Sequence, residues 1–239
     1  MKALIFAAGF GTRLKPLTDN KPKALVEVNG VPMLGLLIEK LKSFGFTEIV
    51  INVHHFAEMI KNYLNENNNF DIKIEISDES ETLFDTGGGL IHAKRYLENT
   101  ENFLIHNVDI FTDINLRKMM EFHKEKENLV SLAVKTRTSS KYLQFDEENL
   151  LCGWRDVKTG NKIIARDVDI ANEFAFSGIH VVNSKIFDLI DKQGKFSIIP
   201  EYLRLAETEK IGAFVHNENL IIDIGKHETL KKVEELLKK

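Results

Sequence analysis

The 239-residue chain contains a single cysteine, Cys152. One thiol cannot close a disulfide within the chain, and it leaves no basis for a cysteine-ligated metal site. A reducing compartment, the cytoplasm, is the expected home. A basic excess is also lacking: 32 Lys and Arg face 36 Asp and Glu, a formal net charge of −4. Nucleic-acid-binding modules show the opposite balance, so no nucleic-acid partner is expected. No apolar run approaches the length that spans a bilayer, so no membrane partner is expected either. The N-terminal MKALIFAAG has one Lys and a short apolar run, but it leads into Gly-Phe-Gly-Thr-Arg rather than a sustained apolar region. It reads as a buried strand, not a leader. Internal repeats and low-complexity segments are missing, and residues 65–69 (NENNN) form a polar turn. Oligomeric state is not legible in the sequence.

What is present is a globular balance, 43% hydrophobic and 28% charged. It suits one domain over residues 1–239 with a buried core. The first half alternates strand and helix patterns. Strands are expected at 2–8, 48–53, 72–77 and 103–107, and helices at 33–44, 56–65 and about 88–97, with a long loop from Gly9 to Pro32. Such alternation implies parallel strands joined by helical crossovers. The second half predicts strands at 129–135, 142–147, 149–155, 174–182, 211–215 and 219–223, with short connections. Helices are predicted at 184–191, 199–208 and 226–238. That pattern extends the sheet in a mixed or antiparallel way, giving an α/β, Rossmann-like three-layer sandwich with a mixed, mainly parallel central sheet.

The string Ala7-Ala8-Gly9-Phe10-Gly11-Thr12-Arg13-Leu14 directly follows the first strand. Glycines there let backbone N–H groups converge on phosphate oxygens, and Arg13 adds a planar, permanent cation. Lys23 supplies a second charge. Two familiar phosphate motifs are excluded. A dinucleotide fingerprint needs a third Gly where Leu14 stands, and an acid where the second strand ends in Asn52 and Val53. The Gly-Lys-Ser/Thr of a Walker A loop does not occur. A Ser/His/Asp or Cys nucleophile is not evident, and the eight histidines, His54 and His55 among them, lack metal-ligand spacing.

Gly9-x-Gly11-Thr12-Arg13-Leu14-x-Pro16-Leu17-Thr18 followed by Lys21-Pro22-Lys23-Ala24-Leu25 resembles the signature of the sugar-1-phosphate nucleotidyltransferases, the NDP-sugar pyrophosphorylases. The resemblance runs from Lys2 to about Glu235 and is strongest in the first 25 residues. It implies a GT-A-like fold without a C-terminal β-helix domain. Residues 1–125 would form mainly the nucleotide-binding half and 126–239 the sugar-phosphate half. It implies that Ala7, Ala8, Gly9, Gly11, Thr12 and Arg13 hold the triphosphate and that Lys23 contacts phosphate near the reacting centre. It implies that the segment Asp85-Thr86-Gly87-Gly88-Gly89 meets base and ribose through Thr86, Gly87 and Gly88. By their position, and not by the resemblance, Asp78 and Glu79, a few residues earlier, are acids within reach of the base edge. On local grounds alone, the glycine triplet fits a tight helix–sheet contact equally well.

Asp109 and Asp223 each follow an apolar strand. Ligands of open α/β sheets gather at strand carboxyl ends, and two carboxylates there suit Mg²⁺, which takes few protein ligands. The resemblance implies that both bind Mg²⁺ and that Asp109 is catalytic with Arg13 and Lys23. Val108 stands where many relatives have Gly, and Asp113 is a neighbouring acid. Asp167-Val168-Asp169 reads as a solvated loop. Gly178 lies inside a predicted strand, a mark of close approach, and the resemblance implies that Ser177 and Gly178 border the sugar. The Glu-Lys-Pro motif of many relatives is absent, leaving Lys141, Lys162 and Arg166 as substitutes for gripping the acceptor phosphate.

The implied substrates are an NTP and a sugar 1-phosphate, led by UTP with N-acetylmuramate 1-phosphate. GTP with mannose 1-phosphate comes next, then CTP with phosphocholine, cradled by Trp154 and Tyr142. A glycosyltransferase that consumes NDP-sugar and a silent nucleotide-binding regulator are the alternatives.

Overall fold

A computed structural model describes residues 1–168 and 171–238. Strand β1 (Lys2–Phe6) is followed by 3-10 turns at Thr12–Leu14 and Lys23–Leu25 and by a small hairpin, β2 (Glu27–Val28) and β3 (Val31–Pro32). The expected long loop is therefore partly ordered. Helix α1 (Met33–Ser43), β4 (Glu48–Val53), α2 (Ala57–Glu66) and β5 (Lys73–Asp78) match the sequence pattern. The next predicted helix begins at Asp85 and divides into α3 (Asp85–His92) and α4 (Lys94–Leu97). Strand β6 (Asn102–Asn107) leads into a short strand the pattern missed, β7 (Ile110–Thr112), and then a whole helix it missed, α5 (Leu116–Lys126). Asn115 caps α5 by accepting the Lys118 N–H at 3.0 Å, and the buried stripe is Leu116, Met119, Met120 and His123.

The second half comprises β8 (Val130–Lys135), β9 (Lys141–Phe145), β10 (Leu151–Asp156), β11 (Lys162–Ile164), β12 (Asn172–Asn183), α6 (Ile186–Leu189), α7 (Ile198–Leu205), β13 (Ile211–Val215), β14 (Ile221–Asp223) and α8 (His227–Leu236). Strand β11 was not expected, and α6 is shorter than the pattern suggested. Asp169 of the Asp167-Val168-Asp169 string lies outside the described residues.

The body of the sheet runs β13-β8-β12-β6-β1-β4-β5. Parallel pairing joins β1 to β4 and β6, β4 to β5, and β8 to β13, while β12 runs against both β6 and β8. The first part of β12 also pairs with β9, which carries β10 and β11 outward as an antiparallel extension. This is the expected mixed, mostly parallel α/β sheet.

Alternation along the strands divides the core. Ala3, Ile5, Ile49, Ile51 and Leu104 face α1, α2 and α5, whereas Leu4, Val50, Phe103 and Ile105 face α3, α6 and α7. Period-two side chains make this two-faced burial automatic. A smaller cluster, including Leu14, Val26, Ile222, Ile224 and Val233, seats α8 beside the N-terminal turns. Among the described residues, no helix is long and apolar enough to cross a membrane.

Candidate active site

The carboxyl ends of β1, β4 and β6 open into a cleft of about 500 Å³. Its lining includes Ala8, Gly9, Phe10, Lys23, Asn52, Glu79, Asp85, Thr86, Asn107, Val108, Asp109 and Lys195.

Asp109 and Asp223 come from segments far apart in sequence, and a two-stranded ribbon joins them. Strands β7 and β14 pair with Asp223 opposite Ile110, and the Ile224 N–H donates to the Asp109 carbonyl at 2.8 Å. The Thr112 hydroxyl donates to the Leu220 carbonyl at 2.7 Å, and the Lys40 ammonium donates to the Thr112 carbonyl. Asp113 accepts the Leu220 N–H at 2.8 Å, so it tightens the ribbon. Both metal candidates converge on Gly225. A methyl group there would lie 2.7 Å from Asp223 Oδ1, 3.2 Å from Asp109 Oδ2 and 2.7 Å from Arg13 Nη2. Glycine thus keeps open the space between two carboxylates and a guanidinium. Lys23 pairs with Asp109, and Arg13 pairs with Asp223 at 3.3 Å. Burial works to raise the Asp223 pKa, but the Gly225 N–H and the charges of Arg13 and Lys23 outweigh it and hold the carboxyl below its ordinary value. Val108 is buried and donates its N–H to the Phe6 carbonyl at 3.1 Å, so the turn before Asp109 accommodates a branched side chain.

The N-terminal loop is anchored from below. The side-chain oxygen of Asn52 accepts the N–H groups of Ala7 at 2.7 Å and Ala8 at 3.3 Å. Gly11 has φ +65°, and a side chain there would press on Lys23 and Thr18, both at 2.9 Å. A methyl at Gly9 would meet nothing within 4 Å. Gly9 therefore leaves cleft space free for a ligand. Thr12 lies in the 3-10 turn with Arg13.

Glu79 is 2% exposed. It accepts the Asn52 amide at 2.9 Å and the Phe84 N–H at 3.2 Å. Burial raises its pKa against those two donors. Asp78 instead turns to Lys61 at 2.8 Å on the surface. Only Glu79 of the two lines the cleft.

The glycine triplet lies within α3, and Thr86 lines the cleft. Gly87 and Gly88 sit behind it, buried against the 194–196 segment. Gly89 backs the Glu79–Asn52 pair, whose atoms a methyl would meet at 2.8 and 3.2 Å.

Ser177 and Gly178 are outside the described cleft lining. Ser177 is buried, its hydroxyl 2.7 Å from His216 Nε2. Gly178 (φ +72°) packs against Asn107 and Ile110. The proposed acceptor cations are also placed elsewhere. Arg166 pairs with Asp146 at 2.9 Å, Lys141 stands 5.8 Å from the Trp154 ring centre, and Lys162 is exposed on β11. Sequence reasoning missed Asn52 as an anchor, Lys195 as a lining cation and Gly225 as a spacer. Gly225 had a signal, since it follows Asp223 by two residues. Lys195 had none.

This geometry is that of an α/β protein that gathers a glycine-rich loop, two cations and two carboxylates at the carboxyl ends of its central strands. The chain belongs to the nucleotidyl transferase family, whose profile matches residues 2–239. Enzymes of this family generally use a divalent metal. The chain is 28% identical to the N-acetylmuramate alpha-1-phosphate uridylyltransferase of Neisseria meningitidis, over 99% of this chain and 98% of that one. It is 34% identical to a mannose-1-phosphate guanyltransferase of Gibberella zeae over 80% of this chain, and it spans about half (52%) of that relative's length. The fold matches HddC of Yersinia pseudotuberculosis with a TM-score of 0.79 and 24% identity, covering 99% of each chain.

Proposed function

We propose that the protein transfers a nucleoside monophosphate from an NTP to a sugar 1-phosphate and releases pyrophosphate. The observation that carries this reading is the convergence of Asp109, Asp223 and Arg13 on Gly225, with Lys23 paired to Asp109, beside the open space at Gly9. An oxygen of the sugar 1-phosphate attacks the α-phosphorus and forms a P–O bond. The bond from that phosphorus to the bridging oxygen of the β-phosphate breaks, and pyrophosphate leaves with the electron pair. The nucleophile is already an anion, so no strong general base is required. The main barrier is repulsion between two anions, which positioning and fixed cations lower.

Two carboxylates flanking one open point fit Mg²⁺, which leaves its remaining positions to water and phosphate oxygens. Asp109 and Asp223 would hold it, and it would supply charge neutralisation at the reacting phosphate. Arg13 and Lys23, now paired with those carboxylates, are placed to turn to phosphate. Residues 1–125 would carry the nucleotide, and 126–239 most of the acceptor contacts.

Glu79 supports a base that presents an N–H to it, guanine N1–H or uracil N3–H. Adenine and cytosine offer an unprotonated ring nitrogen there and would face the carboxylate lone pairs. The lead pair is UTP with N-acetylmuramate 1-phosphate, and GTP with mannose 1-phosphate is second; relatives of both kinds match this chain. Phosphocholine is less well supported, because Trp154 and Tyr142 already face Lys141 and Arg155.

The test is pyrophosphate release with Mg²⁺ across four NTPs and a panel of sugar 1-phosphates. One pair should turn over, and Asp109→Asn and Asp223→Asn should each lower the rate about 10²–10³-fold. Nucleotide binding without turnover for every pair would favour a silent regulator.

A further inference from the structure

Three glycines inside an eight-residue helix weaken it, since glycine is a poor helix former. For two of them the structure supplies a reason. A methyl at Gly88 would fall on the Gly194 carbonyl, and one at Gly87 would enter the Phe196 ring and lie 2.9 Å from the Phe196 carbonyl. Both contacts come from one short segment, residues 194–196.

Hydrogen bonds fasten the same segment. The Phe196 carbonyl accepts the N–H groups of Gly87 at 2.9 Å and Gly88 at 3.2 Å. The Phe196 N–H donates to the Phe84 carbonyl at 3.1 Å, and the Ile198 N–H donates to the Thr86 hydroxyl at 3.0 Å. The first turn of α3 has no side-chain cap, so the segment satisfies donors that would otherwise lack partners. Only a helix face without Cβ atoms lets a foreign backbone come this close.

Lys195 stands between the two anchored residues, Gly194 and Phe196, and lines the cleft. Its neighbour Phe196 packs with the core cluster on the α3 and α7 face of the sheet, whereas Ala24 and Leu25, beside Lys23, belong to the cluster on the other face. Lys23 and Arg13 are paired with Asp109 and Asp223, but Lys195 has no ion pair among the described residues.

We infer that Gly87 and Gly88 form a seat for residues 194–198, and that this seat brings Lys195 into the cleft to bind the phosphate of the acceptor. The inference rests on the transfer reaction proposed above. That reaction brings two anions together, and the NTP phosphates already have Arg13, Lys23 and the Gly9 loop on one face. A cation held on the opposite face suits the second anion. Lys195 is then a binding residue, and the glycines are positioning residues that touch no substrate.

The experiment compares Lys195→Ala, Lys195→Arg, Gly88→Ala and the Gly88→Ala/Lys195→Ala double variant with the full-length wild type. Lys195→Ala should raise KM for the sugar 1-phosphate about ten- to a hundredfold, the usual loss for a charged hydrogen bond. KM for the NTP should stay within about twofold, and Lys195→Arg should recover part of the loss. Gly88→Ala should raise the same KM and speed amide hydrogen exchange at Gly87. It should add little in the Lys195→Ala background, because a mispositioned lysine and a missing one lose the same contact.

A rise in KM for the NTP instead would overturn the acceptor assignment. Additive effects of the two substitutions, or unchanged KM values in Lys195→Ala, would overturn the link between seat and lysine. Lys195 is exposed, so its variants test the idea even if Gly88→Ala folds poorly. Calorimetry with inorganic phosphate separates this inference from the reaction itself. Weaker phosphate binding by Lys195→Ala supports Lys195 as a phosphate-binding residue even if no substrate pair turns over, and unchanged binding overturns that assignment.

Discussion

Two glycine-rich segments border the same cleft, yet they lack side chains for different reasons. In the N-terminal loop, a methyl at Gly9 would meet nothing within 4 Å. In α3, methyls at Gly87 and Gly88 would strike Phe196 and Gly194. The first segment leaves room for something outside the chain, whereas the second leaves room for the chain itself. A run of glycines announces a close approach, and only the folded structure says what approaches.

That contrast is most exposed by a pair of alanine substitutions. Gly9→Ala should leave folding stability within about 0.5 kcal/mol, because its methyl enters open space. Turnover should fall about a hundredfold, since the methyl occupies room meant for phosphate. Gly87→Ala should do the reverse. Overpacking against Phe196 should cost about 1–3 kcal/mol, offset in part by the better helix propensity of alanine. Urea unfolding and NTP affinity, measured on both variants, check this. Loss of NTP affinity with unchanged stability in Gly87→Ala would mean that the nucleotide lies against the triplet, as the family resemblance implies.

The comparison also explains what the sequence could disclose. The strands β1, β4 and β6 are legible because each is a continuous apolar run buried on both faces. Asp109 and Asp223 are legible one at a time, as acids at strand ends. Their meeting depends on the β7–β14 ribbon, which pairs short strands that carry almost no pattern. Helix α5 was lost because its apolar stripe includes His123, which reads as polar. Folding buries that ring between Ser131 at 2.9 Å and Asn102 at 3.0 Å. Gly178 announced a close approach in the predicted strand, but the approach is by Asn107 and Ile110. Lys195 carries no local signal, because its place depends on a seat more than a hundred residues away.

Gly89 sharpens the contrast further, since its neighbours are the Glu79–Asn52 pair, at the end of the cleft proposed above to take the base. Glu79→Gln replaces an acceptor-only group with one that also donates. The variant should lose about tenfold in kcat/KM with UTP or GTP and relax its preference against CTP or ATP. An unchanged ranking of the four NTPs would remove Glu79 from base selection and leave it as a support for the Asn52 anchor.

The smallest effect compares the cleft with the far end of the sheet. His123 lines a separate polar cavity of about 410 Å³ with Asn102, Asn128 and Asn183. Burial lowers its pKa to about 4. Burial likewise lowers His216, at the hydroxyl of Ser177, to about 4 and His106 and His180 to about 3. Each is neutral when folded and takes up a proton on unfolding once the pH drops below the ordinary histidine value of about 6.5. Their linked stability is therefore present above about pH 6.5 and lost as the pH falls toward the folded values of 4 and 3. Each contributes a slope of at most about 1.4 kcal/mol per pH unit in that window. Gln offers both a donor and an acceptor to Asn102 and Ser131, so His123→Gln should flatten the curve by one such slope between pH 6.5 and 5 and leave turnover at pH 7.5 unchanged. Urea midpoints at half-unit pH steps give the slope. A curve as steep as the wild type would mean that His123 is protonated in the folded protein. A change in turnover would mean that the two ends of the sheet are coupled.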